Sequence, residues 1–194
     1  MTESPSLGPV PSDLPRVVCI YGVPPKMPLK DVAGRSIGQT FTLTRHNQGS
    51  FEKALRNALA GFVGGDANIM AARFFLVSDL QQITTAIRSG RYTQVVYYGH
   101  ADQNSNALIP APGVRITASQ LAQALKGSAI GHVDILGCRS GSFAAELATL
   151  VPELRVGHLM AKRFDNIEVN PRTNQVIQMT IDRQGLLHFE AKKK

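Results

Sequence analysis

The feature that most constrains this chain is a pattern repeated four times: a short apolar run followed by a segment with helical spacing. The runs are Val17–Tyr21 (VVCIY), Arg73–Val77 (RFFLV), Thr93–Tyr98 (TQVVYY) and Val133–Leu136 (VDIL). They are short and rich in β-branched and aromatic residues, which marks strands buried on both faces. After the first run, Phe51, Leu55, Leu59 and Phe62 form one stripe, with Ser50 as the expected cap and Gly64-Gly65 as the stop. After the second, Leu80, Ile83 and Ile87 follow a cap at Ser78 or Asp79. After the third, Thr117-Ala118-Ser119-Gln120 fits a capping box and opens a helix through Leu121 and Leu125 to Gly127. After the fourth, Phe143, Leu147 and Leu150 lead to Pro152. Strand and helix in alternation predict an α/β fold, a parallel sheet with helices on both faces.

At 194 residues the chain suits one domain. Residues 1–15 hold four prolines and read as a flexible leader. Residues 23–49 are rich in Pro and Gly, with one strand expected at Thr40–Thr44. A polar loop at Ala101–Ser105 should lead to a hairpin around Pro110–Gly113. The tail reads as strands at Val156–Ala161, Ile167–Asn170, Gln175–Ile181 and Leu186–Glu190, with a turn at 182–185. The expected layout is a core over 16–153, a β-rich flap over 154–191 and a basic end at 192–194.

No apolar run approaches the roughly 18 residues of a membrane span. The N-terminus lacks a basic start followed by an apolar block, so the expectation is a cytoplasmic chain without a secretory signal. Two cysteines without such a signal read as free thiols. There is no CxxC or HExxH, so no metal site is expected. The net charge of +7 suggests an anionic partner, with eight Lys/Arg against four acids in residues 155–194. A solvated basic face accounts for it equally simply. Aromatics are 6% and Trp is absent, which supplies a base-stacking platform poorly, so no nucleic acid partner is expected.

Ligands of open parallel sheets sit beyond the carboxyl ends of the strands. Two of the four expected strands end there in a reactive residue, His100 and Cys138. Neighbouring strands lie about 4.8 Å apart, so side chains leaning over that gap can meet. A thiol needs an adjacent base to attack a carbonyl, and an imidazole supplies it. Cys138 precedes a predicted helix, whose dipole and first N–H groups favour a thiolate. Those N–H groups, with the backbone of Gly99 and Ala101, can hold an oxyanion. Cys19, inside a strand, reads as a small core residue, and His46, His132, His158 and His188 as surface or satisfied residues.

In context, VVYYGHA at 95–101 and VDILGCRSG at 133–141 resemble the caspase-like (clan CD) cysteine peptidases, here with the cysteine 38 residues after the histidine. Leu136-Gly137 stands where the caspase signature has Gln-Ala, so the chain is not a caspase proper. It looks most like the self-processing cysteine protease domain of large bacterial toxins, which inositol hexakisphosphate activates. The ILGC strand end, the ASQLAQAL helix between His and Cys, and the β-rich tail carry that likeness. It spans residues 93–190, and more weakly 16–92.

The resemblance implies a caspase-like three-layer sandwich with a C-terminal flap, His100 as catalytic base and Cys138 as nucleophile. Ala101 departs from the family's usual Gly; its N–H can still serve the oxyanion, while its Cβ narrows the substrate path. Arg155, Lys162, Arg163, Arg172 and Arg183 are the polyanion candidates, by charge and region only. The implied substrate is a protein or peptide, the chain itself included, with Leu7 or Leu14 as accessible cleavage points. Leu or Asp before the cut bond stays open, as does action in a host cell after delivery without a signal peptide. Two alternatives remain: a CHAT-type peptidase switched on by a partner, and an inactive caspase-like adaptor. A flavodoxin-like nucleotide binder is disfavoured, because Gly22-Val23-Pro24-Pro25 follows the first strand in place of a GxGxxG or P-loop.

Overall fold

The computed structural model describes residues 16–23, 27–30, 33, 35–160, 165–181 and 186–193. In chain order the elements are β1 (Val17–Tyr21), β2 (Met27–Lys30), β3 (Ser36–Phe41), α1 (Gln48–Leu59), α2 (Asp66–Ala71), β4 (Arg73–Leu76), α3 (Leu80–Arg88), β5 (Gln94–Tyr98), β6 (His100–Asp102), β7 (Ala107–Ile109), β8 (Ile116–Thr117), α4 (Ala118–Leu125), β9 (His132–Leu136), α5 (Gly141–Leu150), β10 (Arg155–Leu159), β11 (Asp165–Val169), β12 (Val176–Ile181) and β13 (Leu186–Phe189).

The central sheet runs β4-β1-β5-β9-β10-β13. Its first five strands are parallel and β13 joins antiparallel to β10. Renumbered in chain order, the parallel strands read 2-1-3-4-5, the flavodoxin-type doubly wound order. Successive side chains on a strand face opposite ways, so each central strand feeds two cores. Val18, Ile20, Val95, Tyr97, Val133 and Ile135 meet α3, α4 and α5 through Ile83, Ile87, Leu121, Leu125, Phe143 and Leu147. Cys19, Tyr21, Val96, Tyr98 and Leu136 meet Phe51, Leu55 and Leu59 of α1 and Met179 and Ile181 of β12. The result is three layers, compatible with a sandwich around a mostly parallel sheet.

Local chemistry sets the element ends. The Thr117 hydroxyl accepts from Gln120 N while the Gln120 side chain accepts from Thr117 N, a complete capping box. Asp79, rather than Ser78, caps α3, its Oδ1 accepting from Gln82 N at 2.8 Å. The cap of α1 is Asn47, earlier than Ser50; Asn47 Oδ1 accepts from Thr44 N, and Ser50 lies inside the helix and donates to Asn47 O.

Three expectations shift. The strand expected at Thr40–Thr44 lies at Ser36–Phe41 and pairs with β2, with Phe41 as its buried anchor. The polar loop at Ala101–Ser105 is partly strand: β6, β7 and β8 form a small antiparallel sheet. The tail does not stand wholly outside the core. Val156, Gly157, His158 and Leu159 are all buried, the signature of an interior strand, and β10 extends the parallel sheet while β13 closes its edge. Of the described tail strands, β11 and β12 alone pair apart from the central sheet, as a hairpin packed over α1. The leader (1–15), the turn at 182–185 and Lys194 lie outside the described residues. Among the described residues no helix is long and apolar enough to cross a membrane.

Candidate active site

Strands β5 and β9 are direct neighbours, and their register pairs Tyr98 with Leu136. His100 and Cys138 each follow two residues beyond that pair. Both therefore emerge from the same carboxyl edge of the sheet, and both are half-buried.

The histidine arm is held from two sides. Beneath it, the Tyr97 hydroxyl donates to the His100 carbonyl at 2.9 Å. Beyond it, β6 pairs with β7, setting His100 opposite Ile109. The following turn is closed by Asp102, whose Oδ1 accepts from Asn104 N at 3.0 Å and whose Oδ2 accepts from the Ser105 hydroxyl at 2.6 Å. The Ser105 hydroxyl, with the Asn104 N–H, holds the Asp102 carboxyl below the ordinary carboxylate range. Asn106 then donates to Glu146 of α5, tying the loop to the helix that follows the cysteine.

The cysteine arm turns sharply. Gly137 lies against Ala101: a Cβ at 137 would stand 2.6 Å from the Ala101 Cβ and 3.2 Å from its nitrogen. The Ala101 methyl also packs on the core beneath. Arg139, directly after Cys138, has φ of 51°, a left-handed conformation that costs a non-glycine residue about 1–2 kcal/mol. Such strain persists only where the surroundings enforce it, and it concentrates at functional sites. The enforcement is visible at Ser140. Its hydroxyl donates to Ile135 O and accepts from Leu159 N, and its N–H donates to Leu159 O. The turn is thereby pinned to β9 and β10, and α5 begins at Gly141.

The two thiols differ. Cys19 is 1% exposed, and burial pushes its thiol far above the ordinary range. Cys138 is the solvent-reaching one.

The crevice between the ends of β1 and β5, where a flavodoxin-type ligand would sit, is occupied by the chain itself. Gly22 N donates to Tyr98 O at 3.0 Å and Val23 N to Pro110 O at 2.8 Å, seating the β7–β8 connection across it.

Of the cationic candidates, Lys162, Arg163 and Arg183 lie outside the described residues. Arg155 begins β10 and its Nε is 3.3 Å from Glu190 Oε1. Arg172 lies in the turn between β11 and β12. An engaged Arg155 and a lone turn arginine do not by themselves build a polyanion pocket.

A second cluster was not expected from the sequence. His132 Nε2 is 2.9 Å and His188 Nε2 3.2 Å from the same atom, Asp134 Oδ1, and Gln94 Nε2 donates to Oδ2 at 2.9 Å. The two histidines are 56 residues apart in sequence and meet only because β13 returns beside β10. The spacing His132-x-Asp134 was the one local signal, since alternate residues share a strand face.

No family model matches the chain, and comparison with curated proteins likewise gives no match.

Proposed function

We propose that this chain is a cysteine endopeptidase of caspase-like type, with His100 and Cys138 as a catalytic dyad. The observation that supports it best is the matched register of β5 and β9, which brings a histidine and the solvent-reaching thiol to one sheet edge. In the reaction His100 takes the thiol proton and the Cys138 sulfur attacks the scissile carbonyl. Backbone N–H groups of Gly99, Ala101 and Cys138 are the proposed donors to the oxyanion. Collapse of the tetrahedral intermediate expels the amine, which receives the proton from His100. Water, deprotonated by His100, then releases the acid and restores the thiol.

The order 2-1-3-4-5 with an antiparallel edge also suits a nucleotide-binding doubly wound fold. Pro110 across the β1–β5 crevice disfavours that use. The strained Arg139 turn and the Gly137–Ala101 contact favour a built catalytic edge over an incidental pair. Self-cleavage within the leader and activation by inositol hexakisphosphate extend the same reading. The latter needs Lys162, Arg163 and Arg183 to complete what Arg155 and Arg172 leave unbuilt. Action in the cell's own cytoplasm and action in a host cell both suit such a peptidase. A CHAT-type, partner-activated peptidase would use the same dyad, whereas an inactive adaptor would not.

The test is to incubate the protein with an unfolded peptide mixture and identify new N-termini by mass spectrometry, with and without inositol hexakisphosphate. The wild type should generate a defined set of cuts, absent in Cys138→Ala and His100→Ala. Residual turnover should fall by orders of magnitude, as expected when a nucleophile or its base is lost. Undiminished cleavage by Cys138→Ala would exclude the mechanism.

A further inference from the structure

Asp134, His132 and His188 converge on the sheet face opposite α3–α5. Asp134 sits mid-strand in β9, with its side chain 1% exposed, while the two imidazoles are 22% exposed. Register explains the meeting: Asp134 pairs with Gly157 of β10, and Gly157 pairs with His188 of β13. The glycine between them is required. A Cβ at 157 would run into Asp134 Oδ1 and stand 3.0 Å from His188 Nε2. One nitrogen from each histidine and one Asp134 oxygen lie within 4.8 Å of one another.

We propose that this triad is a zinc site, held by His132 Nε2, His188 Nε2 and Asp134 Oδ1, with a fourth position open to water. It is distinct from the proposed dyad: Asp134 lies inside β9, whereas Cys138 lies beyond the end of that strand at Leu136. Two imidazoles and a carboxylate are a standard donor set for zinc, with bonds of about 2.0–2.2 Å. Tetrahedral geometry then requires ligand-to-ligand edges of about 3.3 Å. The separations of 2.9 and 3.2 Å need only a slight opening around an ion. A carboxylate withdrawn from water needs compensation, and a divalent ion held between it and the two imidazoles would supply it. Gln94 occupies the second carboxylate oxygen and orients it, as outer-shell partners of metal ligands do. The partly exposed imidazoles leave the ion a way in. Bound zinc would clamp β13, the sheet's antiparallel edge, to β9 across β10.

Zinc bound by untagged full-length Cys138→Ala protein is counted by equilibrium dialysis with elemental analysis, so the dyad thiol cannot contribute. One zinc per chain is expected, with magnesium failing to substitute. A hundredfold excess over Kd should raise Tm by roughly 5–10 °C. His132→Ala and His188→Ala, checked for folding by circular dichroism, should each weaken binding at least tenfold. Cobalt loaded into the wild type gives a readout that does not depend on variants folding. It should show d–d absorption without a thiolate charge-transfer band. Failure to bind zinc stoichiometrically, binding unchanged in folded histidine variants, or a thiolate band in the cobalt spectrum would each overturn the site.

Discussion

Gly137 is packed directly on Ala101, so close that a methyl group at 137 would stand 2.6 Å from the alanine Cβ. Through this contact the backbone before the cysteine and the backbone after the histidine act as one unit. Gly137→Ala should therefore separate the two arms while leaving the layered core intact. A shift near 1 Å at reacting groups costs about 100-fold in rate. The expected outcome is a loss of that order in kcat/KM with the circular dichroism spectrum retained; full activity would show that the contact does not position the dyad.

Tyr98 ends β5 and donates to Asp165 Oδ2 of β11 at 2.6 Å, joining the strand before His100 to the separate hairpin. A hydrogen bond to a charged group contributes about 1.5–3 kcal/mol. Tyr98→Phe should destabilise the chain by an amount in that range in denaturant unfolding. A double-mutant cycle with Asp165→Asn should show coupling of at least about 0.5 kcal/mol. Strict additivity would mean that the bond does not link hairpin and sheet.

Burial raises the Cys19 thiol, with the nearby Arg56 charge a smaller opposing influence. The sign follows from linkage: the unfolded thiol ionises near pH 8.5 and the folded one well above it. The stabilisation is complete below about pH 8.5 and is lost as pH rises beyond it, by about 1.36 kcal/mol per unit. Urea unfolding across pH 8–10 should show this decline, flattened in Cys19→Ala. An equally steep decline in the variant would assign the alkaline loss to other groups.

At Phe51 the core is at its most aromatic, with ring centroids of Tyr21 and Phe41 each 5.7 Å away and that of Tyr98 6.5 Å away. Phe51→Ala should cost about 3–5 kcal/mol and lower Tm accordingly. A cost under 1 kcal/mol would contradict the packing described.

Much of this was legible in the chain. The apolar runs expected at 17–21, 93–98 and 133–136 fall on the strands at 17–21, 94–98 and 132–136, buried on both faces over nearly their whole length, and their glycine ends mark the edge where His100 and Cys138 emerge. Arg73–Leu76 is a strand too, but lies at the sheet edge and is only half-buried, which its RFFL composition does not reveal. The placement of β10 was hidden for a different reason. Gly157 and His158 interrupt the apolar run RVGHL, so a buried parallel strand reads like part of the β-rich flap. The His132–Asp134–His188 cluster depends on long-range register, which local periodicity does not encode. The left-handed Arg139 is likewise invisible, because side-chain pattern carries no signal for a strained non-glycine turn.

The most direct test of the proposed dyad is site-resolved labelling at neutral pH with a peptidyl acyloxymethyl ketone, read by mass spectrometry. The account predicts modification of Cys138 alone, unlabelled Cys19, and loss of Cys138 labelling in a folded His100→Ala variant. Labelling of Cys138 that is indifferent to His100, or equal modification of both thiols, would contradict it.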